Sequence, residues 1–245
     1  MVSMIVAQLG TTEIIHESKW AITKRCGNKV RKEFLHDAYP KIQKEVMLLK
    51  LSADKDASLY YDCKKQRWIC ESEYIELFSI VHAAQNEKTY TQLDAVFQKW
   101  QHDKRYKELV PNDWCDVAVP WYCGLLKQYI PDSECVITWL QQSRGEHFVH
   151  GDLILSNIYF DSNGQLVILD FENATIGPLH WDEATLVYSL IEHKEYEMAR
   201  EVFDTFQCEK IVLYAISCIR LAQSLRKKQN VQRRTEACEY IAREY

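Results

Sequence analysis

The chain has 245 residues, 47% of them hydrophobic and 27% charged, with a formal net charge of -5. That size supports one large domain or two modest lobes with a sizeable core, and the composition excludes a disordered chain. The acidic balance lacks the basic excess of a nucleic-acid binder, and no apolar run is long enough to span a bilayer.

The nine cysteines are odd in number and scattered, and no C-x-x-C pair occurs. This pattern argues against a disulfide framework and against zinc-site spacing. It predicts reduced thiols in a cytoplasmic protein, most of them small core residues. The opening MVSMIVAQLG has no basic flank and only a short apolar stretch, unlike a signal peptide.

The first third is expected to be β-rich. TTEIIHES and WAITKRC read as strands, and Gly27-Asn28 turns the chain into a third strand, KVRKEFL. A short helix follows over about 40–52, with Ile42, Val46 and Leu49 on one face. Glu45 lies at the edge of that face, where a carboxylate calls for a cationic partner. ASLYYD and RWICESEYIEL read as two further strands.

Beyond about residue 77 the pattern becomes helical. Leu93, Val96, Phe97 and Trp100 form an amphipathic stripe; Pro111, Pro120 and Pro131 divide the next region; CVITWLQQ reads as a buried helix. Helices are expected again over about 183–206, 209–229 and 233–245, with Tyr188, Tyr196 and Phe203 in the core. The basic run LRKKQNVQRR, residues 225–234, reads as a solvated helix end and turn. Strands with one helix, then helices with an embedded hairpin, make an α+β chain of two segregated lobes, 1–76 and 77–245.

The hairpin lies in FVHGDLILSNIYFDSNGQLVILDFENA, residues 148–174. Asp161-Ser162-Asn163-Gly164 is a turn signal between two apolar, β-branched runs. Antiparallel pairing brings Asn157 close to residues 168–170, and Asp152 enters just before it. Two carboxylates and a carboxamide crowded together need a cation or protons among them. Their hard oxygens suit Mg2+ held by Asn157 and Asp170 and completed by water and phosphate. Asp152 is then left to accept a proton from a substrate hydroxyl.

His150-Gly151-Asp152, Asn157 and Asp170-Phe171-Glu172 together resemble the catalytic segment of protein-kinase-like phosphotransferases, most closely the aminoglycoside phosphotransferase and choline kinase type. The resemblance implies a two-lobed kinase-like fold, a small β-rich N-lobe before a larger helical C-lobe, with ATP (or GTP) and Mg2+ as cofactors. It implies that Asp152 is the base, that a strand-three lysine meets nucleotide phosphates, and that a helical glutamate holds that lysine. Lys32 and Glu45 fit, with Lys24 as the rival lysine. Glu73, Tyr74 and Ile75 resemble the hinge that offers backbone groups to adenine. His150 is expected to bond backbone and fix the loop, and Asp182 to brace it.

Two features depart from the wider superfamily. No G-x-G-x-x-G precedes the lysine, and about ten residues separate Asp170 from Pro178 and Asp182, too few for a peptide-docking activation segment. The second departure favours a small hydroxylated acceptor: an aminoglycoside, choline, a sugar, a thiamine-like alcohol or a lipid-linked hydroxyl. A minimal protein kinase and a degenerate nucleotide-binding scaffold are the alternatives.

Overall fold

The computed structural model describes residues 12–17, 21–35, 39–53, 57–73, 76–80 and 87–245. The chain divides into two compact units, Met1–Glu76 and Leu77–Tyr245.

The N-terminal unit is a five-stranded antiparallel sheet with one helix. Its strands are β1 (Thr12–Glu17), β2 (Ala21–Cys26), β3 (Lys29–Phe34), β4 (Ala57–Asp62) and β5 (Arg67–Glu73), in the order β1-β2-β3-β5-β4. The β2–β3 hairpin closes at Cys26↔Lys29 through Gly27, whose φ of +64 is the left-handed value such a turn requires. Helix α1 (Tyr39–Ala53) packs its apolar face on the sheet, and Phe34, Ile42, Val46, Ala57 and Cys70 bury together. Strand alternation then sorts the charges. Lys32 shares the α1-facing side with Phe34, whereas Glu33 points away from α1. There Glu33 is 2% exposed and accepts from Lys24 (3.1 Å) and Lys65 (2.7 Å), contacts that hold its carboxyl below the usual range despite burial.

The run RWICESEYIEL is not one strand. β5 ends at Glu73, and β6 (Leu77–Ser79) belongs to the C-terminal unit, pairing with the hairpin as Phe78↔Phe160. Helix α2 (Glu87–His102) follows, then α3 (Lys104–Glu108), a π-helical turn over Trp114–Ala118, α4 (Val119–Tyr129) and α5 (Glu134–Gln142). Pro120 begins α4, where a missing N–H is tolerated. β7 (His147–Val149) pairs with β10 (Thr175–Gly177), while β8 (Ile158–Asp161) and β9 (Leu166–Ile168) form the expected hairpin, Ile158↔Ile168 to Phe160↔Leu166. The turn is held by Asp161 Oδ1, which accepts from the N–H groups of Asn163 and Gln165 at 2.9 Å. Gln92 of α2 grips the hairpin tip, accepting from Leu166 N–H (2.7 Å) and donating to Gly164 O (2.9 Å).

The C-terminal helices are α6 (Trp181–Glu192), α7 (Tyr196–Thr205), α8 (Lys210–Lys227) and α9 (Val231–Glu244). The expected 183–206 helix is thus two, because Lys194 takes a positive φ. Every residue of α6 is buried. The run 225–234 is the expected solvated helix end and turn, with most of its residues exposed and none buried. Lys228 ends α8, and Arg233, itself exposed, and Arg234 reach the buried Glu192 carboxylate at 2.8 and 3.2 Å, where it needs cations. Tyr188 is core, but Tyr196 is exposed and stacks on Tyr240 at 4.5 Å. Four of the nine cysteines are buried (Cys70, Cys123, Cys208 and Cys218), fewer than the composition suggested, and all nine are free. Among the described residues, no helix is long and apolar enough to cross a membrane.

Trp100 is the hub under the hairpin. It is 2% exposed and packs on Phe148 (5.3 Å), His150 (6.0 Å) and Phe171 (6.1 Å). Trp100→Ala should destabilise the C-terminal unit by about 3–5 kcal/mol, the usual cost of a buried aromatic truncation. Trp100→Phe should cost much less, since the indole Nε1 has no hydrogen-bond partner to lose among the described residues. Thermal unfolding monitored by near-UV circular dichroism checks both.

Candidate active site

The loop from His150 to Asn157 is shaped by bonds to its backbone. His150 N–H donates to Asp182 Oδ2 at 2.6 Å and Gly151 N–H to Asp182 Oδ1 at 3.0 Å. Two turns further along α6, Ser189 Oγ accepts from Leu155 N–H at 3.1 Å. Residues seven apart share a helix face, so one face of a buried helix pins both ends of the loop. Burial pushes the Asp182 carboxyl up to about 8, against the pull of the two N–H groups. Gly151 has a φ of +79, and a Cβ there would sit 2.4 Å from Asn173 O, so no other residue fits without backbone movement.

His150 is wholly buried. Its Nε2 lies 2.9 Å from Leu169 O, which can only accept, so Nε2 carries the proton. Nδ1 then accepts from Asp152 N–H at 3.3 Å. The ring therefore bonds backbone on both sides and ties the Asp152 loop to the Asp170 segment.

Asn157 closes a one-turn 3-10 helix, Leu155–Asn157. Its Nδ2 donates to Asp152 O at 2.8 Å, and its backbone carbonyl accepts from Leu169 N–H at 2.9 Å. The amide nitrogen is thereby used, and Oδ1 is the atom left to meet a cation. Leu169 is held through both its N–H and its C=O, and Phe171 is fully buried against His150 at 4.7 Å. Asp170, between them, takes the left-handed conformation (φ 67, ψ 60), uncommon for a non-glycine residue and found at functional corners. Hydrogen bonds thus join Asp152 to Asn157 directly, and both to Leu169, the residue before Asp170.

The donor chemistry fits a divalent cation of the magnesium type: one carboxylate and one carboxamide oxygen, a set that water and phosphate usually complete. Among the described residues, no three His, Cys, Asp or Glu side chains gather as a metal cage.

Asp152 has a partner that sequence reasoning missed. Arg220 Nη2, from α8, donates to its Oδ1 at 2.6 Å. Burial works against the guanidinium, but Asp152 raises it on balance. The available signal was Arg220 itself, the single charge between Ile211 and Leu225. Ser189 and Trp100 carried no such signal.

In the N-terminal unit, Lys32 Nζ donates to Glu45 Oε1 at 2.6 Å, with both side chains partly exposed. Lys24 is committed to Glu33 on the other face of the sheet. Of the expected hinge, Glu73 ends β5, while Tyr74 and Ile75 lie outside the described residues. Removing the Asp182 carboxylate (Asp182→Ala) leaves two buried N–H groups unpaired, at about 1–3 kcal/mol each. Stability should fall accordingly, and amide exchange at His150 and Gly151 should accelerate sharply, read by exchange mass spectrometry.

The phosphotransferase enzyme family matches residues 73–212, more than half of the chain. No curated protein is significantly similar in sequence. Among solved structures, a choline/ethanolamine kinase family protein from Mesorhizobium loti aligns with TM-score 0.67 at 12% identity, covering 99% of this chain and 91% of that one. A thermostable mutant of aminoglycoside phosphotransferase APH(4)-Ia gives TM-score 0.66 at 14% identity, covering 96% and 94%. Amicoumacin kinase hAmiN, solved with AMP-PNP, Ca2+ and Ami, gives TM-score 0.60 at 14% identity, covering 94% and 88%. These likenesses establish the kinase-like α+β fold. With the family match spanning the loop, hairpin and buried helix described above, the chain belongs to the phosphotransferase enzyme family.

Proposed function

We propose that this protein transfers the γ-phosphoryl group of ATP to a hydroxyl of a small molecule, with GTP as the alternative donor. The observation that carries the reading is the loop in which Asn157 bonds Asp152, held by His150 and Asp182 and tied through Leu169 to the corner that carries Asp170. The nucleotide analogue and divalent cation in the hAmiN structure support the donor and the metal. The short segment from Asp170 to α6 supports a small acceptor over a peptide.

In this reading Asp152 orients the acceptor hydroxyl and takes its proton as the new O–P bond forms. The bond from γ-phosphorus to the bridging oxygen breaks, and the nucleoside diphosphate leaves. Asn157 Oδ1 and the Asp170 carboxylate would hold Mg2+. Magnesium bound there offsets negative charge on the phosphates. Lys32, aligned by Glu45, adds positive charge toward the nucleotide phosphates, and residues Glu73 to Ile75 offer backbone groups to the base. Such chemistry depends mainly on positioning and fixed charge.

Asp152→Asn should lower phosphoryl transfer by about 10²–10⁴-fold, the usual contribution of a positioned base. Asp170→Ala should abolish magnesium-dependent turnover, and Lys32→Met should weaken use of ATP more than use of the acceptor. The assay is transfer from γ-labelled ATP into a desalted-back metabolite extract, separating soluble product from precipitated protein. Near-normal transfer by Asp170→Ala sinks the metal assignment; label in protein rather than metabolites points to a protein kinase.

A further inference from the structure

The reaction just described does not require a fully ionised arginine at the base, yet Arg220 is there. It is the one charge between Ile211 and Leu225 of α8, bonds Asp152 Oδ1 at 2.6 Å, and is 19% exposed beside an Asp152 that is 23% exposed. The pair is therefore recessed but reachable from solvent. A guanidinium offers five N–H donors. Only one is used by a protein acceptor among the described residues, and Nε and Nη1 make no bond there.

The surroundings supply further donors. Tyr122 of α4 lies near enough to Asp152 and Arg220 for both charges to act on its phenol, and its hydroxyl makes no hydrogen bond among the described residues. The Arg220 backbone is fixed, because Arg234 Nη1 donates to its carbonyl at 2.9 Å, and Arg234 is itself anchored on Glu192. The side chain is thus held in place while most of its donors remain uncommitted.

Arg220 lies beside the carboxylate that the acceptor hydroxyl would meet, and its Nε–H and Nη1–H donors are not taken up by Asp152. An anionic group on the acceptor, a few bonds from the reacting hydroxyl, would find charge-assisted hydrogen bonds there. An ammonium group in the same place would instead meet a like charge. For unit charges about 5–6 Å apart, partly screened by solvent, the discrimination is about tenfold to a hundredfold.

We propose that Arg220 selects the acceptor, taking a carboxylate or phosphate on a molecule whose hydroxyl meets Asp152; the substrate is a hydroxy acid or an alcohol phosphate, not an amino alcohol. This rests on the phosphotransferase reading above.

The test fractionates a metabolite extract by ion exchange, before reaction, into anionic, neutral and cationic pools. The full-length protein is given each pool with magnesium and γ-labelled ATP, and label transfer and ATP hydrolysis are both measured. Label should appear in products from the anionic pool, with glycerate-like hydroxy acids and glycerol-3-phosphate-like esters then tested singly to separate carboxylate from phosphate. With the acceptor so found, Arg220→Gln should raise its KM about tenfold to a hundredfold, with a smaller change in kcat, and Arg220→Lys should restore part of the loss. Transfer mainly into the neutral or cationic pool overturns the proposal. So does an Arg220→Gln variant that lowers kcat with KM unmoved, which leaves Arg220 merely positioning Asp152. Asp152-dependent ATP hydrolysis without transfer into any pool also overturns it. Absence of all Asp152-dependent ATP turnover overturns the phosphotransferase reading itself.

Discussion

The site depends on one carboxylate accepting from two neighbouring backbone N–H groups. Asp182 receives His150 and Gly151 on its two oxygens from a position that is 2% exposed. A loop reversing sharply at a positive-φ glycine exposes backbone donors that no strand or helix can satisfy. Burying them is affordable only if a fixed acceptor waits, and the first turn of α6 supplies one. Ser189 repeats the device for Leu155. The loop's shape is therefore set by a helix outside it, and Asp152 inherits its position from that helix.

The same helix organises what lies behind. Along α6, Asp182, Ser189 and Glu192 are polar residues in a fully buried element, and each is used: two for the loop, one for Arg233 and Arg234 of α9. Arg234 passes the connection on to the backbone of Arg220, and Arg220 returns to Asp152. A closed circuit of hydrogen bonds thus runs from α6 to the loop, to α8, to α9 and back to α6. Circuits of this kind resist small displacements because no member moves without breaking a bond in a poorly solvated place.

On the other side, His150 and Leu169 join the loop to the hairpin end. With Leu169 bonded through both backbone groups and Phe171 locked under Trp100, Asp170 is left the left-handed corner. An aspartate tolerates that conformation better than a branched residue. The strain is small beside the packing that imposes it, and the carboxylate is presented from a rigid corner rather than a mobile loop.

The sequence by itself determined a great deal. Period-two strands, the Gly27-Asn28 and Asp161–Gly164 turns, and the helical stripes are local signals, written in residues close together along the chain, so both lobes and the hairpin were legible. So was the set Asp152, Asn157 and Asp170, whose spacing survives as a motif. Lys32 and Glu45 were legible as a pair because one strand and the next helix carry them. Only the tertiary structure decided that Lys32 faces α1 while Lys24 meets Glu33, since that choice rests on which side of the sheet is covered. It also decided that β5 stops at Glu73, that Arg233 and Arg234 pair with Glu192, and that Arg220, 68 residues from Asp152, is its partner. Contacts of that range depend on how helices pack, and packing is a property of the whole fold that no local pattern encodes.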